Sequence, residues 1–162
     1  MFGRFFLVVG ILFSTTAIAV DFRWTVGFAQ GTVIARIQNE NDTSVSIYCP
    51  SGQQDTTPGM ELSFKSKRIS PQPGDRVAIQ VIIDGVNYPF ISGPNNFDTD
   101  LTFQAAGRAA RQDLENIVHA LIRSRQKTFL IEFPKYRYSE NFSLLDARRA
   151  LVDRRGTILN EC

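Results

Sequence analysis

The chain has 162 residues, 21% of them charged and 43% hydrophobic, which is enough for one sizeable core in a single ordinary domain. Its 18 Lys and Arg stand against 16 Asp and Glu, a formal balance of +2, which argues against the strongly basic surface that nucleic acid or an anionic membrane would select. One histidine and two cysteines supply too few ligands for a metal centre, so neither a metal nor another cofactor is expected.

The N-terminus places Arg4 before an uncharged run from Phe5 to Phe13 and ends in Ala17-Ile18-Ala19. A basic residue, a short apolar stretch and a small-x-small site make residues 1–19 a secretory signal peptide, the stretch being too short for a spanning helix of ~20 residues. An uncleaved anchor is the alternative. Cleavage after Ala19 leaves residues 20–162 as one domain, expected in the periplasm or secreted. Both cysteines, Cys49 and Cys162, lie in that part, where thiols are normally oxidised. An intramolecular bond between them would close most of the domain, worth ~4 to 5 kcal/mol at the upper end of the chain-entropy model. Two free thiols or an intermolecular bridge are the alternatives.

From Phe22 the chain reads as successive strands. Arg23 to Ala29 alternates, Gln30-Gly31 turns, and Thr32 to Gln38 brings Val33, Ala35 and Ile37 to one face. After a polar turn at 39–43, Val45, Ile47 and Cys49 alternate with Ser44, Ser46 and Tyr48, the pattern of an antiparallel strand with one wet face. Residues 50–59 form an exposed loop, Met60 to Lys65 a strand, and 67–75 a second connection. Val77, Ile79, Val81 and Ile83 line one face of a β-branched strand, and Asp84-Gly85 then gives the clearest hairpin signal in the chain. Pro89 in the return strand assigns it to an edge or a bulge. Ser92 to Thr99, rich in Gly, Pro and Asn, reads as a loop carrying Phe97, followed by a brief strand at Leu101 to Phe103.

The stretch from Leu114 to Phe133 passes from a helical to a strand period. Leu114, Ile117, Val118, Leu121 and Ile122 make one helical stripe, within a helix beginning near Arg108, and Phe129, Ile131 and Phe133 alternate as a strand. A second helix is expected from Ser143, where Ser143-Leu144-Leu145-Asp146 has capping-box spacing, with Leu144, Ala147 and Leu151 on its buried side. The order favours an α+β fold, an antiparallel β-sheet or sandwich of about eight or nine short strands with two helices in the C-terminal half.

No nucleophile elbow, phosphate-binding loop or metalloprotease motif is present. The single His119 falls off the apolar stripe of its helix and is expected to face solvent without a catalytic role. Asp98 with Asp100, or Glu132, could form a carboxylate pair, though such groups are commonly just solvated. The stronger signal is Lys135-Tyr136-Arg137-Tyr138, since tyrosine and arginine combine contact area with polar tips and are enriched at binding hot spots. The competing view has these residues continue an edge strand, one tyrosine packed and the other wet. Residues 106–162 hold 11 basic and 7 acidic side chains, a modestly basic surround.

The β-branched strand from Val77 with Ile83-Asp84-Gly85, the aromatic return strand, the helix Leu114 to Ile122, the strand Phe129 to Phe133 and the segment Phe142 to Leu151 resemble the invasion-associated locus B family of exported Gram-negative proteins. The likeness covers about the last half of the chain. It implies a periplasmic or surface-associated β-rich protein without catalysis, linked to host interaction or envelope fitness.

The expectation from the chain as a whole is an exported, non-enzymatic binding protein of the bacterial envelope, of interaction, inhibitor or immunity type. Its partner would be another protein or envelope component, met through Tyr136, Arg137 and Tyr138 with Phe97 as a second contact. An envelope hydrolase using a carboxylate pair, or a carrier of a small apolar ligand, is the alternative.

Overall fold

The computed structural model describes residues 22–50, 59–64, 69, 71, 75–97, 100–105, 108–152 and 158. Residues 1–19, read above as a signal peptide, Asp98 and Cys162 lie outside them. Nine strands pair antiparallel throughout: β1 (Thr25–Ala29), β2 (Thr32–Gln38), β3 (Ser44–Pro50), β4 (Gly59–Phe64), β5 (Val77–Ile83), β6 (Val86–Phe97), β7 (Asp100–Ala105), β8 (Thr128–Phe133) and β9 (Tyr138–Ser143). Among the described residues two α-helices of five residues or more accompany the strands, α1 (Arg108–Arg123) and α2 (Ala147–Leu151), so the α+β architecture with helices in the C-terminal half is observed. Their order across the sheet is β1-β2-β3-β4-β7-β6-β5-β8-β9.

Two tight hairpins follow from local chemistry. Gln30 and Gly31, at φ 50° and 75°, join β1 to β2, and Asp84 and Gly85, at φ 52° and 78°, join β5 to β6. Two successive positive φ values mark the turn whose twist matches that of the flanking strands. Ahead of the second turn, Val77, Ile79, Val81 and Ile83 are all buried, as their alternation requires.

Residues 92–97, part of the segment read as a loop, are corrected by the structure to strand. β6 continues to Phe97 and changes partner on the way: residues 86–92 pair with β5 and residues 93–97 pair with β7. Pairing with the next strand here overrides a turn-like composition. The exchange also explains the prolines. Pro89 pairs only with β5 and Pro94 only with β7, so each has one ladder neighbour and neither missing N–H interrupts a two-sided sheet.

The two ends of the strand order meet at one corner, which gives the sheet the enclosed face of a sandwich. The Trp24 backbone N–H donates to Leu145 O at 2.9 Å, and its indole N–H donates to Ser143 O at 3.1 Å. The Trp24 ring stacks on Phe129, centroids 6.2 Å apart, and Phe129 stacks on Phe142 at 5.3 Å. One core results, taking Val33, Ala35, Ile37, Val45, Ile47 and Cys49 from β2 and β3, the inward residues of β5 and β8, and Leu114, Ile117, Val118 and Leu121 from α1. The stripe read along α1 therefore packs as expected. Cys49 is fully buried. The expected partner, Cys162, falls outside the described residues.

The second helix is shorter than expected and the capping box does not form. Asp146, at φ 62°, precedes α2 without a side-chain cap. Ser143 belongs to β9, and its Oγ accepts from Leu145 N–H at 3.0 Å, a local turn that ends the strand before the helix begins. Ala147, Ala150 and Leu151 form the buried side of α2. No helix among the described residues is long and apolar enough to cross a membrane.

Candidate functional site at the Pro134–Tyr138 turn

β8 and β9 pair from Thr128↔Ser143 to Phe133↔Tyr138, and the chain between them turns through a 3-10 segment, Pro134–Tyr136. Pro134 suits the first position of such a turn because its fixed φ is already helical and it has no N–H to satisfy. Arg137 closes the turn at φ 51°, donating its N–H to Pro134 O at 3.2 Å. A non-glycine residue in this left-handed region costs ~1 kcal/mol, and nothing in the side chain of arginine relieves that cost locally.

The four residues of Lys135-Tyr136-Arg137-Tyr138 divide into two pairs. Tyr136 and Tyr138 are half-buried and pack against the core. Tyr138 stacks on Phe133 with centroids 6.2 Å apart, and its hydroxyl donates to Glu140. Tyr136 carries a buried hydroxyl with no hydrogen-bond partner among the described residues. Leaving such a group unpaired costs ~1 to 3 kcal/mol. Lys135 and Arg137 are the exposed pair. Lys135 Nζ lies 3.3 Å from Asp75 Oδ2 and 5.6 Å from the centroid of the Tyr136 ring. The turn thus combines an anchored aromatic base with two cationic tips.

Beneath it lies a buried polar cluster that the sequence reading missed. Tyr138, Glu140 and Phe142 share the inward face of β9, and Glu140 is only 4% exposed. Its Oε2 accepts from Asn39 Nδ2 and Asn41 Nδ2, each at 2.7 Å, and its Oε1 accepts from Thr43 Oγ1 at 3.4 Å and from Tyr138. Asn39 in turn shapes its own turn, with Oδ1 accepting from the N–H groups of Asn41 and Thr43, both at 3.0 Å. A carboxylate with four donors is tolerated in the interior because its acceptor positions are filled. Its lone pairs are engaged, so the geometry assigns it to tying the β2–β3 turn onto β9. The available signal was the period-2 alternation that puts Glu140 in line with Tyr138 and Phe142.

The other residues singled out are dispersed. Phe97 is the last residue of β6, paired with Asp100, and its side chain lies outside the described residues. Glu132 is half-buried on β8, opposite Ser139. His119 is exposed on α1, off the buried stripe as expected. Among the described residues no three His, Cys, Asp or Glu side chains come together in an arrangement that could hold a metal.

Neither a curated protein nor a solved structure matches the chain. A family model does match, over residues 22–151, a span that runs from the strand-order corner at Trp24 through the turn to the end of α2, and on that extent the chain belongs to the YfjT family.

Proposed function

We propose that the mature chain is an exported, non-enzymatic binding protein of the bacterial envelope that engages an acidic macromolecular partner through the Pro134–Tyr138 turn. The observation that carries this reading is a concentration of local cost at one turn. Arg137 is held at positive φ and the Tyr136 hydroxyl is buried with no partner among the described residues, in a segment whose base is fixed by Phe133, Tyr138 and Glu140. Strain of this kind tends to persist where function requires it. Lys135 and Arg137 stand outermost, and cationic tips on a rigid base suit association that is steered by charge. The resemblance of its element order to that of the invasion-associated locus B proteins supports an envelope setting.

Affinity capture from native envelope with the purified mature chain tests the reading. A retained partner of acidic character, lost as salt is raised, is the expected outcome; capture insensitive to salt contradicts the charged turn as the contact.

Export and the disulfide belong to the same proposal. The secreted chain is expected to begin at Val20 and to contain a Cys49–Cys162 bond. Intact mass with and without reductant checks both. A mass that retains residues 1–19 contradicts export with cleavage, and alkylation of either cysteine before reduction contradicts the bond.

A further inference from the structure

The β5–β6 turn and the C-terminal half of α1 enclose a cleft of about 370 Å³. Asn116, His119, Ala120 and Arg123 all line it from α1, and their i, i+3, i+4, i+7 spacing places them on one helical face. Ala120, the smallest of the four, leaves the middle of that face open. Ile83 and Val86 supply the apolar wall opposite, and Val86, at the start of β6, is 51% exposed. The walls are held together, since Ser124 Oγ donates to Asp84 Oδ1 at 2.6 Å and so fastens the hairpin tip to the end of the helix.

The polar groups of this cleft are unbalanced. Among the described residues Asp84 is its one carboxylate, and that group is engaged by Ser124. The Tyr88 hydroxyl, the His119 ring and the Arg123 guanidinium have no hydrogen bond or ion pair among the described residues. Three unengaged side chains able to donate, beside an apolar wall, suit a ligand that brings acceptors and a hydrophobic body. A guanidinium in particular matches the paired oxygens of a carboxylate or phosphate, and a cavity of a few hundred Å³ with few converging polar groups is the usual form of a small-molecule site.

We propose that this cleft binds the anionic group, carboxylate or phosphate, of a small molecule with an apolar body, held by Arg123, His119 and Tyr88 against Ile83 and Val86. The site is separate from the Pro134–Tyr138 turn and does not depend on the function proposed for it.

His119 is the only histidine, so its ring protons give an isolated signal in a proton NMR spectrum. Benzoate and phenyl phosphate, added separately to the mature protein at constant pH, distinguish the two anion types, and inorganic phosphate tests the need for an apolar body. A saturable shift of the imidazole signal is expected with at least one aromatic anion, with weaker binding of inorganic phosphate. Arg123→Ala should weaken that binding about tenfold or more, the scale of one lost charge-assisted contact. Arg125→Ala, which alters an exposed cation near the same helix end, should leave binding unchanged. An unchanged amide spectrum in Arg123→Ala separates lost binding from lost fold. The proposal is overturned by the absence of a saturable shift with both aromatic anions, by undiminished binding in Arg123→Ala, or by equal weakening in the Arg125 control. Inorganic phosphate binding as tightly as the aromatic anions would overturn the part assigned to Ile83 and Val86.

Discussion

Trp24→Ala is expected to lower the free energy of unfolding by about 3 to 5 kcal/mol, the range for truncating a large buried aromatic. Trp24 is 3% exposed and stacks on Phe129, and its indole N–H satisfies Ser143 O. Alanine would leave a cavity at the corner where the two ends of the strand order meet, and would also remove the donor to that carbonyl. The thermal midpoint should fall by roughly 10 °C or more in a domain of this size. Circular dichroism in urea measures the change, because the substitution removes the only tryptophan and with it the fluorescence probe. A loss below about 1 kcal/mol would show that the corner is held by other contacts.

The second large effect is expected at Glu140. Glu140→Ala removes the acceptor for Asn39, Asn41, Thr43 and Tyr138 at once, two of them in nearly inaccessible residues, Asn39 at 5% and Thr43 at 1% exposure. Stranding buried donors costs ~1 to 3 kcal/mol each before relaxation, so a net loss of about 3 kcal/mol is expected. Glu140→Gln should be milder. Its carbonyl oxygen can accept from the two asparagines, and its amide can donate to Thr43 Oγ1 and the Tyr138 oxygen, since hydroxyls can reverse their role. Urea unfolding of the two variants side by side measures the difference. Equal losses would mean that the negative charge, rather than the pattern of donors and acceptors, holds the cluster; no loss in either would assign the corner to apolar packing alone.

These two sites also show what was legible in the amino-acid order. The stripe Leu114, Ile117, Val118 and Leu121, the alternation in Val77–Ile83 and the Asp84-Gly85 turn each depend on neighbours within a few residues, and each appears in the structure where its period places it. The exchange of partners along β6 was not legible. Gly93, Pro94, Asn95 and Asn96 have the composition of a turn, and only pairing with β7 makes them a strand. Glu140 was hidden for a similar reason, since its partner Asn39 lies 101 residues away and both look like ordinary surface groups in isolation. The Ser143 capping box failed because the same hydroxyl serves a local turn instead. At the candidate site, the sequence pointed to a stretch but not to the division within it: tyrosines packed below, Lys135 and Arg137 outermost.

That division determines how recognition by the turn is best tested. Tyr136 and Tyr138 pack against the core, so truncating either would mix binding with folding, whereas Lys135 and Arg137 are exposed. The Lys135–Asp75 ion pair is partly solvent-exposed on both sides and contributes at most about 1 kcal/mol to stability. Affinity of the captured partner should therefore be compared between the mature chain and its Lys135→Ala/Arg137→Ala variant, with the thermal midpoint of each recorded. The expected result is a loss of at least ~2 kcal/mol in binding, about thirtyfold, with the midpoint nearly unchanged. Unaltered affinity in a variant with a native midpoint would contradict the turn as the contact site.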